Sequence, residues 1–400
     1  MTVNRREVFQ AAAVLGLSAL SGSGIAQTSR RGAYFDPWIE IRADHIAHNL
    51  GQVRARVENR PVLAVIKNNA YGVGVTNMAR ILEQTRGIAG LAVVKLDEAI
   101  TLREDGITAP ILLMGPFDDR DLEEVVAHNI MPMVYTPIGK SLDQLAEKYS
   151  AKIPVHVCVD TGMGRAGVPF SEAHSLIEDL AGRSSVDIRG VMTTLTETPE
   201  FEIEQHRQLR SLVSDLAQDG VSTGRAHAAS SYGLFQSEFA FMDMVRPGMS
   251  LYGCYPALKF RHENILQLKP AIALKARVIY VRHLKKGEHA GYEQAYTAKN
   301  DVWIATLPVG HVDGVPRVAA QGASVRIGET LYPVIASVSA SHTLVEIGSE
   351  KTVDPGDVAT IFDWTEGSRP EDIAEASGAS VYDLLMHLSP LLPRTIITRS

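Results

Sequence analysis

A lysine closes a short apolar run: residues 61–74 read PVLAVIKNNAYGVG, with Lys67 directly after the run and Tyr71, Gly72 and Gly74 close behind. An ammonium at the end of a buried strand is costly unless its amine is used. Burial favours the neutral amine, which can form a Schiff base with a carbonyl. A lysine that snorkels to solvent is the alternative. Residues 159–167, VDTGMGRAG, set Arg165 in a glycine turn whose N–H groups and guanidinium suit a carboxylate or a phosphate, or else form a plain structural loop.

Residues 225–233, RAHAASSYG, offer Ser230 and Ser231 among small residues that let the backbone approach a phosphate. His227 either faces that site or is a satisfied core histidine. Arg246, in VRPGM at 245–249, can meet a ring nitrogen, a substrate carboxylate or a local aspartate. In GYEQAY at 291–296, Tyr292 or Tyr296 is a proton-transfer group if its phenol pKa falls, and a packing residue otherwise. The glycine-containing loop at 307–317 is open in the same way.

These residues need elements that bring them together. Short apolar runs at 62–66, 89–94, 111–114, 131–135, 155–160, 187–192, 225–229 and 242–245 read as strands. Segments of helical spacing, such as 97–103, 119–127, 171–180 and 204–216, separate them. A strand at 38–41 and a helix from Ala43 precede the series. Eight such strands are the number that closes an α/β TIM (β/α)8 barrel, whose chemistry collects at the C-terminal strand ends. Lys67, Asp160, His227 and Arg246 fall there. A doubly wound open sheet lacks its G-x-G-x-x-G. After residue 270 the pattern turns to strands, at 272–283, 302–307, 323–327, 331–337 and 343–347, with helices at 370–375 and 381–388. This is a mostly β C-terminal domain. The expected division is 43–266 for the barrel and 267–400 for the β domain, with 27–42 supplying a strand to the latter.

The 400 residues are 45% hydrophobic with a formal charge of -7, which argues against nucleic acid as the main partner. Two cysteines, Cys158 and Cys254, allow at most one bridge. Arg5 and Arg6 precede a small, apolar run over 11–20, and a cut after Ala26 gives residues 1–26 the pattern of a twin-arginine signal. Export to the periplasm is the expectation, with no stable membrane insertion, because the run is too short and too weakly apolar to span a bilayer.

Taken in order, KNNAYGVG at 67–74, VDTGMGRAG at 159–167, HAASS at 227–231, VRPG at 245–248, GYEQAY at 291–296 and VYD at 381–383 resemble the fold-type III pyridoxal-phosphate racemases, the alanine racemase family. The resemblance covers nearly everything after residue 36. It implies bound pyridoxal 5'-phosphate and free amino acids as substrates. Lys67 would hold the cofactor and act as base on one face of the α-carbon. Tyr292 would serve the other face from the partner subunit of a head-to-tail homodimer. Arg246 would hydrogen-bond the pyridine nitrogen without protonating it. Tyr71, Ser231, Gly248, Met249 and Tyr382 match phosphate-pocket positions, with His227 beside them, and Arg165 lies near the cofactor oxygen and the substrate carboxylate. No metal is implied.

The departures fall on the substrate side. Cys158 stands where many members carry a carbamylated lysine that orients the arginine equivalent to Arg165. Thr194 replaces a histidine that supports the tyrosine base. His311 replaces the tyrosine of a GYADG loop. Ala340 and Ser341 replace a Met-Asp pair that closes the substrate site, and Val73 replaces a histidine. Both bases kept and the substrate side rebuilt implies a racemase acting beyond, or other than on, alanine. A decarboxylase or a D-hydroxyamino-acid aldolase on the same scaffold, or an impaired cofactor-binding protein, is the alternative.

Overall fold

The computed structural model describes residues 36–398. The signal expected over 1–26 and the stretch from 27 to 35 lie outside them. Among the described residues no helix is long and apolar enough to cross a membrane.

Seven parallel strands follow one another around the barrel: Leu63–Val65, Gly90–Val93, Ile111–Leu113, Met131–Val134, Ile153–Asp160, Val186–Met192 and Arg225–His227. The first four are almost wholly buried, which is why they read as continuous apolar runs, whereas Val186–Met192 carries Asp187 and an exposed Arg189 and the strand Arg225–His227 opens on an exposed arginine. The eighth stave, expected over 242–245, is reduced to two parallel bridges, Val62 with Val245 and His227 with Met244. Leu63 N donates to Val245 O at 2.9 Å, and so the ring closes. A longer strand is barred: Met242 turns at φ 44° and Pro247 has no N–H to give. The helices between strands bury one face each. Asp119–Ala127 is typical, with Leu122 and Val125 inward and Asp118 accepting from Arg120 N and Asp121 N as a capping box.

The second sheet has nine strands in the order Tyr280–Leu284, Val302–Leu307, Thr343–Gly348, Thr330–Ile335, Ser324–Ile327, Val358–Phe362, Ile272–Arg277, Trp38–Arg42 and Arg394–Ile397. The single strand expected over 272–283 is therefore two. Val278 N donates to Asp357 O while Ile279 N donates to Thr306 O, so the backbone changes partners at that step. Trp38–Arg42 runs antiparallel to Ile272–Arg277 and parallel to Arg394–Ile397. It leads straight into helix Ala43–Arg56, which buries Ile46, Leu50 and Val53. One continuous apolar core spans both parts, from Ile46 and Leu91 to Val345 and Leu385. Helix Val381–Met386, carrying Tyr382, thereby sits against the barrel mouth: a Cβ on Gly72 would stand 2.2 Å from Leu385 O.

Candidate active site

Lys67 owes its position to a backbone turn that few sequences would adopt. After Leu63–Val65 the chain enters the left-handed region at Asn68, Asn69, Ala70 and Tyr71, with φ of 56°, 54°, 52° and 52°. Each L-residue there costs about 1–2 kcal/mol, least for asparagine, so the turn must be held from outside. Glu98 Oε1 accepts Asn69 N–H at 2.6 Å. Val75 N donates to Asn69 Oδ1 at 3.1 Å, and Gly74 N to Asn69 O at 2.9 Å. Across the domain boundary, Arg394 Nη2 donates to Gly72 O at 2.6 Å.

Lys67 then lines a cavity of about 250 Å³ together with Tyr71, Arg165, Ser231, Arg246, Gly248, Met249 and Tyr382. Burial depresses the Lys67 pKa first, Arg165 adds to the effect, and Glu98 opposes it. The amine is held toward its neutral, nucleophilic and basic form.

The far end of the cavity is built to donate. Gly248 N and Ser250 N both donate to Ser231 Oγ, at 2.9 and 3.1 Å, which leaves that hydroxyl's own proton to point outward. Burial raises the Tyr71 phenol, and burial with Glu197 raises Tyr382 to about 12, so both remain protonated donors. A Cβ on Gly248 would stand 2.3 Å from Tyr71 Oη; only glycine leaves that cradle open. Ser250 Oγ is buried there without a partner. Clustered hydroxyl donors around an open glycine turn fit a phosphate group, and a desolvated lysine at the other end fits an aldehyde; the residues suit pyridoxal phosphate.

Arg246, 6% exposed, uses both terminal nitrogens within the protein. Nη1 donates to His227 O and Nδ1, each at 2.8 Å, and Nη2 to Thr193 O at 2.7 Å and Ala228 O at 3.2 Å. That leaves Nε–H as its donor toward a ring. Burial brings its pKa down to about 10, so it stays a cation near neutrality.

His227 does not line the cavity, which corrects its expected place among the cofactor contacts. It is fully buried behind Arg246, and its Nε2 meets His156 Nδ1 at 2.8 Å. Cys158 and Cys254 are both free. Cys158 lines the cavity as a neutral thiol pushed up to about 11 by burial, so it supplies no anion for Arg165. Asp160, at the same strand end, accepts from Gly162 N and Gly164 N and shapes the loop rather than facing the cavity.

Tyr292, His311, Ala340 and Ser341 are exposed on the β domain and do not line the cavity of their own chain. Tyr292 is 74% exposed, between Gly291 at φ 78° and Glu293 at φ 55°. The other tyrosine of the stretch is engaged within the domain: Tyr296 OH is hydrogen-bonded to Glu346, and burial with that carboxylate raises its pKa. Sequence reasoning missed Glu98, His156, Glu197 and Arg394. His156 had a signal, since 156, 158 and 160 share one face of a strand. Glu197, at φ 64°, is the one carboxylate among the residues lining the cavity.

Residues 41–256 match the family profile "Alanine racemase, N-terminal domain" and residues 271–396 match "Alanine racemase, C-terminal domain". The alanine racemase of Clostridium kluyveri is 32% identical over 375 residues, 91% of this chain and 95% of that protein. The solved alanine racemase of Clostridium difficile 630 superposes with a TM-score of 0.84 at 27% identity, covering 91% of this chain and 96% of its own. That of Bacillus anthracis, solved with bound L-Ala-P, gives 0.81 at 28% identity, covering 91% and 95%.

Proposed function

The chain belongs to the alanine racemase family, pyridoxal-phosphate-dependent amino-acid racemases, and on that premise we propose that it inverts amino acids by two-base proton transfer on substrates beyond alanine, outside the cytoplasm. The observation that carries the reading is a desolvated Lys67 amine that lines one cavity together with a cradle of phosphate donors.

When bound, pyridoxal 5'-phosphate supplies the carbonyl that engages the substrate amine and the conjugated ring that spreads charge from Cα. The chain's own residues do the rest. Ser231, Tyr71, Tyr382 and the turn at Gly248–Met249 would hold the phosphate. Lys67 Nζ, kept toward neutrality by burial and Arg165, takes or returns the α-proton on one face. Arg246 would orient a bound ring through the Nε–H it does not use within the protein and, as a cation, would not protonate the ring nitrogen. Arg165 is the guanidinium within reach of a substrate carboxylate. Tyr292 serves the opposite face from the partner of a homodimer; its exposure, against the engagement of Tyr296, supports that assignment.

Substrates larger than alanine are supported by the small residues Ala340 and Ser341 near His311, where His311 N and Val312 N donate to Ser339 O and Ala340 O at 2.9 Å. The neutral Cys158 supports the same reading, because Arg165 is released from a fixed anion. The twin-arginine pattern in residues 1–26 supports export.

The test is chiral analysis of a panel of L-amino acids incubated with the purified protein. Several should be inverted. Lys67→Ala should lose the covalently attached cofactor absorbance, whereas Tyr292→Phe should keep it and slow exchange of one enantiomer more than the other. Turnover confined to alanine would refute the substrate proposal. Equal loss on both enantiomers in Tyr292→Phe would refute the two-base roles.

A further inference from the structure

The barrel has a second cavity at its other end. It holds about 560 Å³ and is lined by residues at the N-terminal ends of the strands, among them Leu63, Ile111, Met131 and Pro154. The charged groups in it are Arg103, Arg189, Arg225 and Asp187: three cations against one anion. Asp187 is already paired with Arg189 at 2.7 Å. Arg103 is fixed at the rim, donating to the carbonyls of Ile107, Ala109, His128 and Asn129 at 2.7–3.1 Å. Its charge has four dipoles around it and Glu83 nearby, but among the described residues no carboxylate is bonded to it.

At the floor stands His156, 3% exposed. Its protonation pattern follows from its neighbours. Arg246 Nη1 can only donate, so His227 Nδ1 accepts and His227 Nε2 carries the hydrogen. That hydrogen goes to His156 Nδ1 at 2.8 Å, so His156 carries its own on Nε2. Among the described residues the remaining N–H has no protein partner, and its ring lines the cavity. Gly190 makes the room: a Cβ there would stand 2.6 Å from His156 Nδ1. Arg225 and Arg189 line the same cavity as the imidazole, and both lower its pKa. A buried donor at the floor and a positive rim around a half-open cavity are the parts of an anion site.

We propose that the N-terminal end of the barrel binds a small oxyanion of phosphate or dicarboxylate size, held by Arg189, Arg225 and the Nε2–H of His156. This site is separate from the cavity of Lys67, and it does not depend on which amino acid the enzyme racemises. The His156–His227–Arg246 chain joins the two.

Titration of the cofactor-loaded protein with inorganic phosphate, and in a second arm with malonate, tests this at constant ionic strength against chloride. The loaded protein is used so that the phosphate cradle at Ser231 is already filled. Saturable elevation of the thermal midpoint by either anion is expected, with the His156 ring-nitrogen resonances moving over the same concentration range. Arg225→Gln and Arg189→Gln should each weaken that binding by about tenfold or more. Arg120→Gln, on the exposed outer surface, should leave it unchanged. The proposal is overturned if neither anion saturates. It is also overturned if Arg225→Gln, folded by circular dichroism, responds like the parent protein, or if the His156 resonances stay fixed while the midpoint rises.

Discussion

Lowering the pH should destabilise this protein through two buried imidazoles, and His156 gives the effect a size. Burial first, then Arg246, Arg225 and Arg189, bring its pKa from 6.5 to about 4. His227, fully buried against the same arginine, lies well below 6.5. Both are neutral in the fold and protonated in the unfolded chain below pH 6.5. The unfolded state then binds more protons, so stability is complete above 6.5 and falls as the pH drops toward 4. At about 1.4 kcal/mol per pH unit, the gap between 6.5 and about 4 amounts to roughly 3 kcal/mol from His156 alone. His156→Gln keeps an acceptor for His227 and removes the titration. Urea unfolding at fixed protein concentration, at pH 7, 6, 5 and 4.5, should give a shallower loss for His156→Gln than for the parent. The two curves should converge by about 1 kcal/mol or more per pH unit below 6. A difference that stays constant across the series would refute the reasoning, because it would mean that His156 is protonated equally in the folded and unfolded chains.

Two substitutions probe how the Lys67 turn is held. Gly72→Ala adds a side chain at φ 85° and 2.2 Å from Leu385 O, so it should cost about 2–4 kcal/mol in urea unfolding and speed release of the cofactor by shifting the helix of Tyr382. Unchanged release despite lost stability would separate that helix from the phosphate cradle. Glu98→Ala removes the acceptor of Asn69 N–H and the carboxylate that raises the Lys67 pKa. Amide exchange at Asn69 should quicken, and, in the direction in which Lys67 takes the α-proton, the ascending acid limb of the pH–rate profile should move to lower pH; a limb that moves up instead would contradict the assignment.

The barrel could be read from the chain because strands buried on both faces leave short, mostly apolar runs, clearest in the first four, and such runs recur at a helix-plus-strand interval. The residues at the strand ends followed from that count. Two kinds of feature were not visible. Strands that change neighbours, as at Val278 and Ile279, leave no mark in composition, since each half is as apolar as a continuous strand would be. Residues acting at a distance along the chain were hidden for a related reason. Glu98 and Arg394 hold the Lys67 turn by bonds to backbone atoms of Asn69 and Gly72, and backbone partners have no sequence signature. His227 was placed on the correct strand end but on the wrong side of Arg246, because strand position gives a side chain's direction and not what stands in front of it. The twist into the left-handed region at Ala70 and Tyr71 was likewise unreadable, as neither residue type announces it.

The bond from Arg394 to Gly72 spans 322 positions of sequence, and this has a bearing on how the protein is made. On a ribosome adding about 5–20 residues per second, the loop bearing Lys67 emerges many seconds before the arginine that ties it down. In that interval the barrel can assemble from neighbouring strand–helix pairs, but the turn behind Lys67 has only its own bonds and that to Glu98 to hold four left-handed residues. The reactive amine is thus presented early and made rigid late. The cofactor grip is completed when the strand Arg394–Ile397 pairs with Trp38–Arg42, joining a late-synthesised strand to an early one.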